Sequence, residues 1–251
     1  MPRRRIPIRR ADRSRRLARA LTLAALVALT TPAGAHVVLD ADVAQPMLAA
    51  IAADLKTTRD APVDEGRAEA WYRLGERLHQ LVDLMNTDVL AHGQSLYGQL
   101  VARQLVDLGL GVTYVDRTRR YVYDVAPFEQ YLRLAPRGAR AADAKFRLIA
   151  EAFTRSLGRR ASELAEGDPT SLAHAIRRKE AFVAEHPAHP RLRDVRFFLA
   201  IDYYRLHRNS PDARIAAQYR GLARTALQAI IRDYPGTAEA RSAEPPLQEL
   251  R

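Results

Sequence analysis

Three segments of this 251-residue chain end in the same way, with an amphipathic run followed by a proline. The endings are FEQYLRLAP at 128–136, KEAFVAEHP at 179–187 and TALQAIIRDYP at 225–235. Proline has no N–H and clashes with the preceding turn, so a helix ends shortly before it. A recurring helix of this kind cannot bury its apolar stripe alone and must stack on its neighbours. The pattern therefore predicts an all-α fold, specifically an α-solenoid of helical hairpins.

The carboxyl half has regular helical spacing. Leu192, Val195, Leu199, Tyr203 and Leu206 follow one another at intervals of 3, 4, 4 and 3 residues, which is the period of one helix face. We predict helices over about 139–157, from 169 to 187, over 191–207 and from 215 to 235. A short terminal helix begins near residue 239 and is interrupted by the proline pair at 245–246.

The amino half is less regular. Asp40 or Asp42 can cap a first helix, and residues 56–66 have the composition of a linker. Helices are predicted over about 67–85 and 88–108, the second with the apolar stripe Leu90, Leu96, Leu100, Leu105 and Leu108. Residues 112–125 are rich in β-branched and aromatic residues around a polar turn, which predicts one small β-hairpin, with a helix as the alternative.

The spacing Trp71-x-x-Leu74-Gly75-x-x-Leu78 matches the opening of a tetratricopeptide helix, where the small residue lets a paired helix approach closely. The closing prolines lie 51 and 48 residues apart, longer than the roughly 34 residues of that unit. We therefore predict tetratricopeptide-like hairpins with longer helices and loops. The predicted divisions are 1–35, a secretory signal peptide; 36–126, an N-terminal helical region; and 127–251, the tetratricopeptide-like repeats.

The formal charge of +11 is concentrated at the amino end of the chain. Residues 1–35 contain nine arginines and one acid, Asp12, a net charge of +8, which leaves +3 for residues 36–251. The remainder is nearly balanced, so the high pI does not indicate a nucleic-acid-binding surface. We expect no nucleic-acid partner.

The first 35 residues have the order of a secretory signal peptide. A basic segment precedes the apolar run 20–29 and the small-residue site Ala33-Gly34-Ala35. The run is much shorter than the roughly 20 residues that span a bilayer, so we predict cleavage after Ala35 and a periplasmic protein. Arg15 and Arg16 leave the twin-arginine route open beside the general secretory route.

Cysteine is absent from the chain. Neither disulfides nor lipid attachment through a cysteine is available, so stability must come from packing. We expect contact with a membrane only through a partner.

The run FVAEHPAHP at 182–190, followed by Val195 and an aromatic-rich helix, resembles the middle of BamD/ComL-type outer-membrane assembly lipoproteins. A second match to that group is the helix ending formed by Ala223, Leu227, Ile230, Tyr234 and Pro235. The resemblance covers roughly residues 125–245 and implies a tetratricopeptide-like scaffold of the β-barrel assembly machinery. The missing lipid-carrying cysteine departs from the group and implies a paralogue with another partner, such as a cell-envelope or division coordinator.

Three histidines suggest metal chemistry at first sight. After cleavage at Ala35, His36 would be the amino terminus, whose amine and imidazole could bind copper. A copper brace needs a second histidine and a rigid framework, so a chance terminal histidine is the favoured interpretation. His186 and His189 have a helical metal-binding spacing, but the adjacent prolines favour a helix end and a turn.

Asp202 lies within an apolar helix pattern, three residues before Arg205. A buried acid with a shifted pKa is one interpretation. A structural ion pair with Arg205 is the favoured one. We predict no metal and no cofactor.

The sequence contains no nucleophile–base–acid arrangement and no glycine-rich phosphate loop. We therefore predict a non-catalytic periplasmic scaffold that binds a segment of an envelope protein, in outer-membrane or cell-envelope assembly. The alternative is a helical accessory protein of a peptidoglycan-processing system built around a lytic enzyme. The predicted partner-binding residues lie off the apolar stripes of two successive helices and are Arg147, Glu151, Arg196 and Tyr204.

Overall fold

The computed structural model describes residues 39–62, 65–157 and 169–251. Of these residues 77% are helical, in nine helices, and the only strands among them form one two-stranded antiparallel sheet. This confirms the predicted all-α fold with a small β-hairpin. The predicted signal peptide and His36 lie outside the described residues.

The helices and strands follow one another in a simple order. They are α1 (Ala41–Asp60), α2 (Glu65–His92), α3 (Leu96–Asp107), β1 (Val112–Val115), β2 (Arg120–Tyr123), α4 (Ala126–Leu134), α5 (Ala141–Leu157), α6 (Pro169–Glu185), α7 (Leu192–Asn209), α8 (Ala213–Asp233) and α9 (Ala238–Glu249).

The predicted proline endings are confirmed. Helices α4, α6 and α8 each end two residues before a proline, at Pro136, Pro187 and Pro235. A turn follows α7, and Asp212 caps the helix after it, accepting hydrogen bonds from the N–H groups of Arg214 and Ile215 at 2.8 and 3.1 Å.

Most helices pack against a neighbour along the chain: α1 on α2, α6 on α7, α7 on α8 and α8 on α9, with α2 also against α4. This arrangement is compatible with an α-solenoid. Two apolar cores result, and α5 contributes to both. Ala144 and Leu148 belong to the first core, while Phe146, Ile149 and Phe153 belong to the second.

The predicted close approach at Gly75 is present, and the helix that approaches is α4. A Cβ atom on Gly75 would lie 2.7 Å from Cζ of Phe128, whose ring is fully buried. Leu74 and Leu78, from the same motif, are also fully buried. The α2–α4 contact therefore depends on the missing side chain of Gly75.

Two predicted boundaries in the amino half are wrong. Residues 56–60 continue α1 and are not a linker, because Arg67 donates to the carbonyl oxygens of Thr58 and Arg59 and so satisfies the helix end. Helix α2 also continues through the predicted break after Met85. The polar residues Asn86 and Asp88 beyond Met85 are buried, and their side chains are hydrogen-bonded to Tyr121 and Ser95.

The predicted apolar stripe of α3 is wrong in part. Leu105 is buried, but Leu96 and Leu100 are 84% and 48% exposed, and Leu90 in α2 is 62% exposed. The predicted interruption at residues 245–246 is also wrong, since α9 runs through both prolines. Pro246 is buried there, so packing on the neighbouring helices offsets the lost hydrogen bonds.

The histidine pair forms the predicted helix end and turn. Helix α6 ends at Glu185, and the N–H of His189 donates to the carbonyl oxygen of His186 at 3.1 Å. The predicted ion pair of Asp202 with Arg205 is present at 3.3 Å. Across the described ranges, no group of three or more histidine or acidic side chains is placed to hold a metal ion. None of the described helices is long and apolar enough to cross a membrane.

Candidate functional site

A polar cleft lies where α2, β2 and α5 meet. It holds about 80 Å³, which is the volume of two or three water molecules at about 30 Å³ each. The side chains that line it come from the three elements and are His79, Val82, Asp83, Asn86, Arg120, Tyr121, Tyr123, Arg147, Ala150, Glu151 and Thr154.

The helical period explains how two helices present these side chains. On α2 the lining residues are 79, 82, 83 and 86, and on α5 they are 147, 150, 151 and 154. Both sets have the spacing i, i+3, i+4 and i+7, which is one face of a helix. Strand β2 lies against both faces, and its main chain and side chains complete the cleft.

Arg147 joins α5 to α2. Its Nε and Nη2 atoms donate to the two carboxylate oxygens of Glu76 at 2.7 and 2.9 Å, a paired geometry that only arginine provides. Its Nη1 atom lies 2.7 Å from Nε2 of His79. The charge of Arg147 is thus committed to Glu76.

These contacts fix the protonation of His79. Arginine can only donate, so Nε2 of His79 accepts, and Nδ1 carries the ring proton. Nδ1 lies 3.2 Å from the hydroxyl oxygen of Tyr123 and donates to it. Burial, together with the nearby charge of Arg147, lowers the pKa of His79 from 6.5 to about 4, so the imidazole is neutral at physiological pH.

Side chains of α2 and α5 form hydrogen bonds with the main-chain groups on the outer edge of β2. The side-chain amide of Asn86 accepts from the N–H of Tyr121 at 2.7 Å and donates to its carbonyl oxygen at 3.0 Å. Two residues further on, Glu151 accepts from the N–H of Tyr123 at 3.4 Å, and Arg155 donates to the carbonyl oxygen of Tyr123. Asn86 and the Glu151–Arg155 pair therefore replace a neighbouring strand.

Burial also changes the acidity of groups in the cleft. It raises the pKa of Glu151, against the opposing charge of Arg155. It raises the pKa of Tyr123 as well, and the charge of Glu151 adds to that effect. Tyr123 therefore keeps its hydroxyl proton.

Two hydrogen-bond donors in the cleft remain available. The Nε atom of Arg120 is buried and has no hydrogen-bond partner among the described residues. Since the oxygen of Tyr123 accepts from His79, its own proton is free to be donated elsewhere. The residues that line the cleft thus carry an unpaired Nε–H and a free hydroxyl proton, beside the acids Asp83 and Glu151.

The four predicted partner-binding residues do not form one site. Arg147 and Glu151 line the cleft. Arg196 donates to the hydroxyl of Tyr234 at the end of α8, at 3.0 Å, and the hydroxyl of Tyr204 donates to Glu249 in α9. These two residues lie at the carboxyl end of the array, and their role in partner binding stays a prediction.

Sequence reasoning missed most of the cleft. Unpredicted polar residues that line it include His79, Asn86, Arg120 and Tyr123, and the unpredicted Glu76 and Arg155 bond to lining residues. One signal was available in the sequence. His79, Asp83 and Asn86 recur on a single face of α2, opposite the apolar stripe.

A second depression of about 270 Å³ is lined by Thr58, Arg67, Trp71, Arg133 and Leu134. It is larger than the cleft, but the guanidinium of Arg67 is bonded to the end of α1, and Arg133 is bonded to Gln130. The cleft, with its buried unpaired donor, is the better candidate site.

The chain matches no protein-family model, no curated protein and no solved structure. The site must be interpreted from its own geometry.

Proposed function

We propose that this protein is a non-catalytic, tetratricopeptide-like scaffold that binds a segment of another envelope protein. The observation that carries the proposal is Arg120, which lines a cleft of about 80 Å³ and whose buried Nε–H has no hydrogen-bond partner among the described residues. A buried donor without an acceptor costs about 1–3 kcal/mol. A carboxylate or carbonyl oxygen from a bound segment would satisfy it.

The size of the cleft favours a side chain over a whole ligand. Small-molecule sites commonly enclose about 300–1,000 Å³, several times the volume of this cleft. One acidic side chain of a partner fits, with its oxygen atoms near Arg120 and the hydroxyl of Tyr123. The remaining affinity must then come from the surface around the cleft.

The hairpin turn beside the cleft favours an acidic segment. Arg117 and Arg119 are exposed on the turn and form no ion pair within the described part of the chain, and Asp116 is the only acid there. Together with Arg120 they give this end of the hairpin a positive charge, which attracts acidic partners.

The predicted export signal and the missing cysteine favour a periplasmic protein that reaches the membrane only through its partner. The resemblance of residues 125–245 to outer-membrane assembly scaffolds supports an expected partner in the cell envelope. Under the alternative, an accessory role in peptidoglycan processing, the expected partner is a cell-wall lytic enzyme.

Photo-crosslinking in living cells tests the proposal. A photoreactive residue at position 117 should capture one envelope protein, and the same residue at position 218, exposed on α8, should not. Arg120→Ala should reduce the yield by about tenfold, whereas Arg214→Ala on α8 should leave it unchanged.

Capture of a barrel-assembly component or a lytic enzyme would decide between the two partner classes. Equal labelling from positions 117 and 218, or a yield unaffected by Arg120→Ala, would overturn the proposed site.

A further inference from the structure

The depression of about 270 Å³ lies where the ends of α1 and α4 meet the beginning of α2. Its lining comes from the last turn of α1 (Thr58), the first two turns of α2 (Arg67 and Trp71) and the last turn of α4 (Arg133 and Leu134). Its volume is close to the lower limit of about 300 Å³ for ligand sites, and roughly three times that of the polar cleft. The depression is therefore large enough for one large apolar side chain of a partner.

The apolar part of the lining is Trp71 and Leu134. Both side chains pack against the first core, yet both are only half-buried, and the depression lies over them. A half-exposed tryptophan offers a large rigid surface that loses little conformational freedom when a partner covers it. This part of the depression is thus suited to an apolar anchor.

The cationic part of the lining is Arg133. Its Nε and Nη2 atoms both donate to the same oxygen of Gln130, a neutral amide, so three of the five N–H donors of the guanidinium remain for a ligand. None of the residues that line the depression is acidic, and the acids at the start of α2, Glu65 and Glu69, form no ion pair with Arg133. The charge of this exposed arginine is therefore available to a carboxylate.

The turn that follows α4 adds positive charge beside the depression. Residues 130–142 contain three arginines and no acid. Two of them, Arg137 and Arg140, are exposed on the turn and form no ion pair within the described part of the chain. The N–H of Arg140 donates to the hydroxyl of the buried Tyr131 at 3.0 Å, which fixes the turn. Cations held in place in this way favour an acidic partner.

We propose that the depression binds an acidic segment of the partner protein, whose large apolar side chain packs on Trp71 and Leu134 and whose carboxylates pair with Arg133 and Arg137. The inference rests on the proposed scaffold function and adds a contact with the partner outside the cleft. The apolar anchor supplies most of the affinity, because ion pairs at an exposed surface contribute little. The arginines select segments in which acids flank the anchor.

A synthetic peptide tests this binding mode with the unaltered protein. Trp71 is the only tryptophan in the chain, so tryptophan fluorescence reports on the depression directly. The probe is acetyl-Asp-Glu-Leu-Leu-Glu-Asp-amide, and its binding should shift the emission of Trp71 to shorter wavelength as a leucine covers the ring. Replacing both leucines of the peptide with serine should weaken binding by at least about tenfold. Replacing its acids with their amides should weaken binding by at least about threefold.

Matched variants of the protein test the charged part of the surface. Arg133→Gln should weaken peptide binding by about threefold to fivefold, and Arg214→Gln, at an exposed arginine on α8, should leave it unchanged. The inference is overturned when millimolar peptide leaves the emission of Trp71 unchanged, when the serine peptide binds as tightly as the leucine peptide, or when the two variants bind alike. In those cases, a crosslink from position 117 that depends on Arg120 would keep the scaffold function and remove only the contact at the depression.

Discussion

The ammonium nitrogen of Lys179 lies 2.7 Å from Oδ2 of Asp202, and the two side chains are 3% and 2% exposed. The pair joins α6 to α7 inside the second core. Arg205 approaches the other carboxylate oxygen at 3.3 Å and also donates to Ser156 at the end of α5. Three successive helices are thus connected through one buried acid.

Removing one partner of this pair should be strongly destabilising. Asp202→Leu leaves the Lys179 charge buried and unpaired, and we expect a loss of about 3 kcal/mol in the free energy of unfolding, measured by urea denaturation. The double variant Lys179→Met with Asp202→Leu should recover most of that loss, because an apolar pair carries no desolvation cost. The exposed pair of Lys145 with Glu185 provides the control, and Lys145→Met should have little effect. A single variant as stable as the original protein would contradict this role.

Two glycine-to-alanine substitutions should have opposite effects. A methyl group at Gly75 would collide with the buried ring of Phe128, so Gly75→Ala should lower stability by about 1–2 kcal/mol. Gly221 in α8 has no atom within 4 Å of a built Cβ, and alanine there should raise stability by about 0.5–1 kcal/mol through helix propensity. Thermal unfolding measures both. An increase in stability for both variants would show that α4 can shift to accommodate the methyl group at position 75.

Asn86→Ala should loosen the hairpin specifically. The substitution leaves the N–H and C=O of Tyr121 without partners on a buried edge, at a cost of about 2–4 kcal/mol for the two groups. Hydrogen exchange should accelerate at Tyr121 and Tyr123. The neighbouring Thr87→Ala is the control, since the Thr87 hydroxyl only bonds the Asp83 carbonyl oxygen in its own helix. Unchanged exchange at Tyr121 would mean that Asn86 is not what holds the strand.

His79 should make the protein acid-sensitive. Burial lowers its folded-state pKa to about 4 from 6.5, so between these values the unfolded chain binds a proton that the folded chain does not. Stability therefore falls as the pH drops from about 6.5 toward 4, by up to about 3 kcal/mol from this one group. His79→Gln should flatten the dependence of unfolding free energy on pH across this interval. The control is His174→Gln at an exposed position of α6, which should leave the slope of unfolding free energy against pH unchanged. If the two variants had the same slope, the acid sensitivity would not come from His79.

The sequence predicted those features that depend on neighbouring residues. Proline at position i+2 marks the ends of α4, α6 and α8, because its effect acts within one turn of helix. The predicted pair of Asp202 with Arg205 is equally local, and so is the cap that the structure shows at Asp212. Each involves residues at most three apart.

Features that depend on distant partners could not be predicted in this way. Helix α2 continues past the predicted end at residue 85, and the partner of its buried Asn86 is Tyr121, which lies 35 residues away. Arg147 and Glu151 were selected for lying off the apolar stripe, but their setting depends on residues of α2 and β2. Lys179 is buried in α6, and the structure explains its burial by the ion pair with Asp202 on the next helix.

Helix α5 faces both cores, and this limits how an array of this kind can change during evolution. Deleting the helices before α5 would uncover Ala144 and Leu148, and deleting those after it would uncover Phe146, Ile149 and Phe153. Either deletion would expose an apolar face with nothing to cover it. Changes in repeat number that preserve solubility are therefore expected at the outer helices, α1 and α9, while the middle of the array must be inherited as one unit.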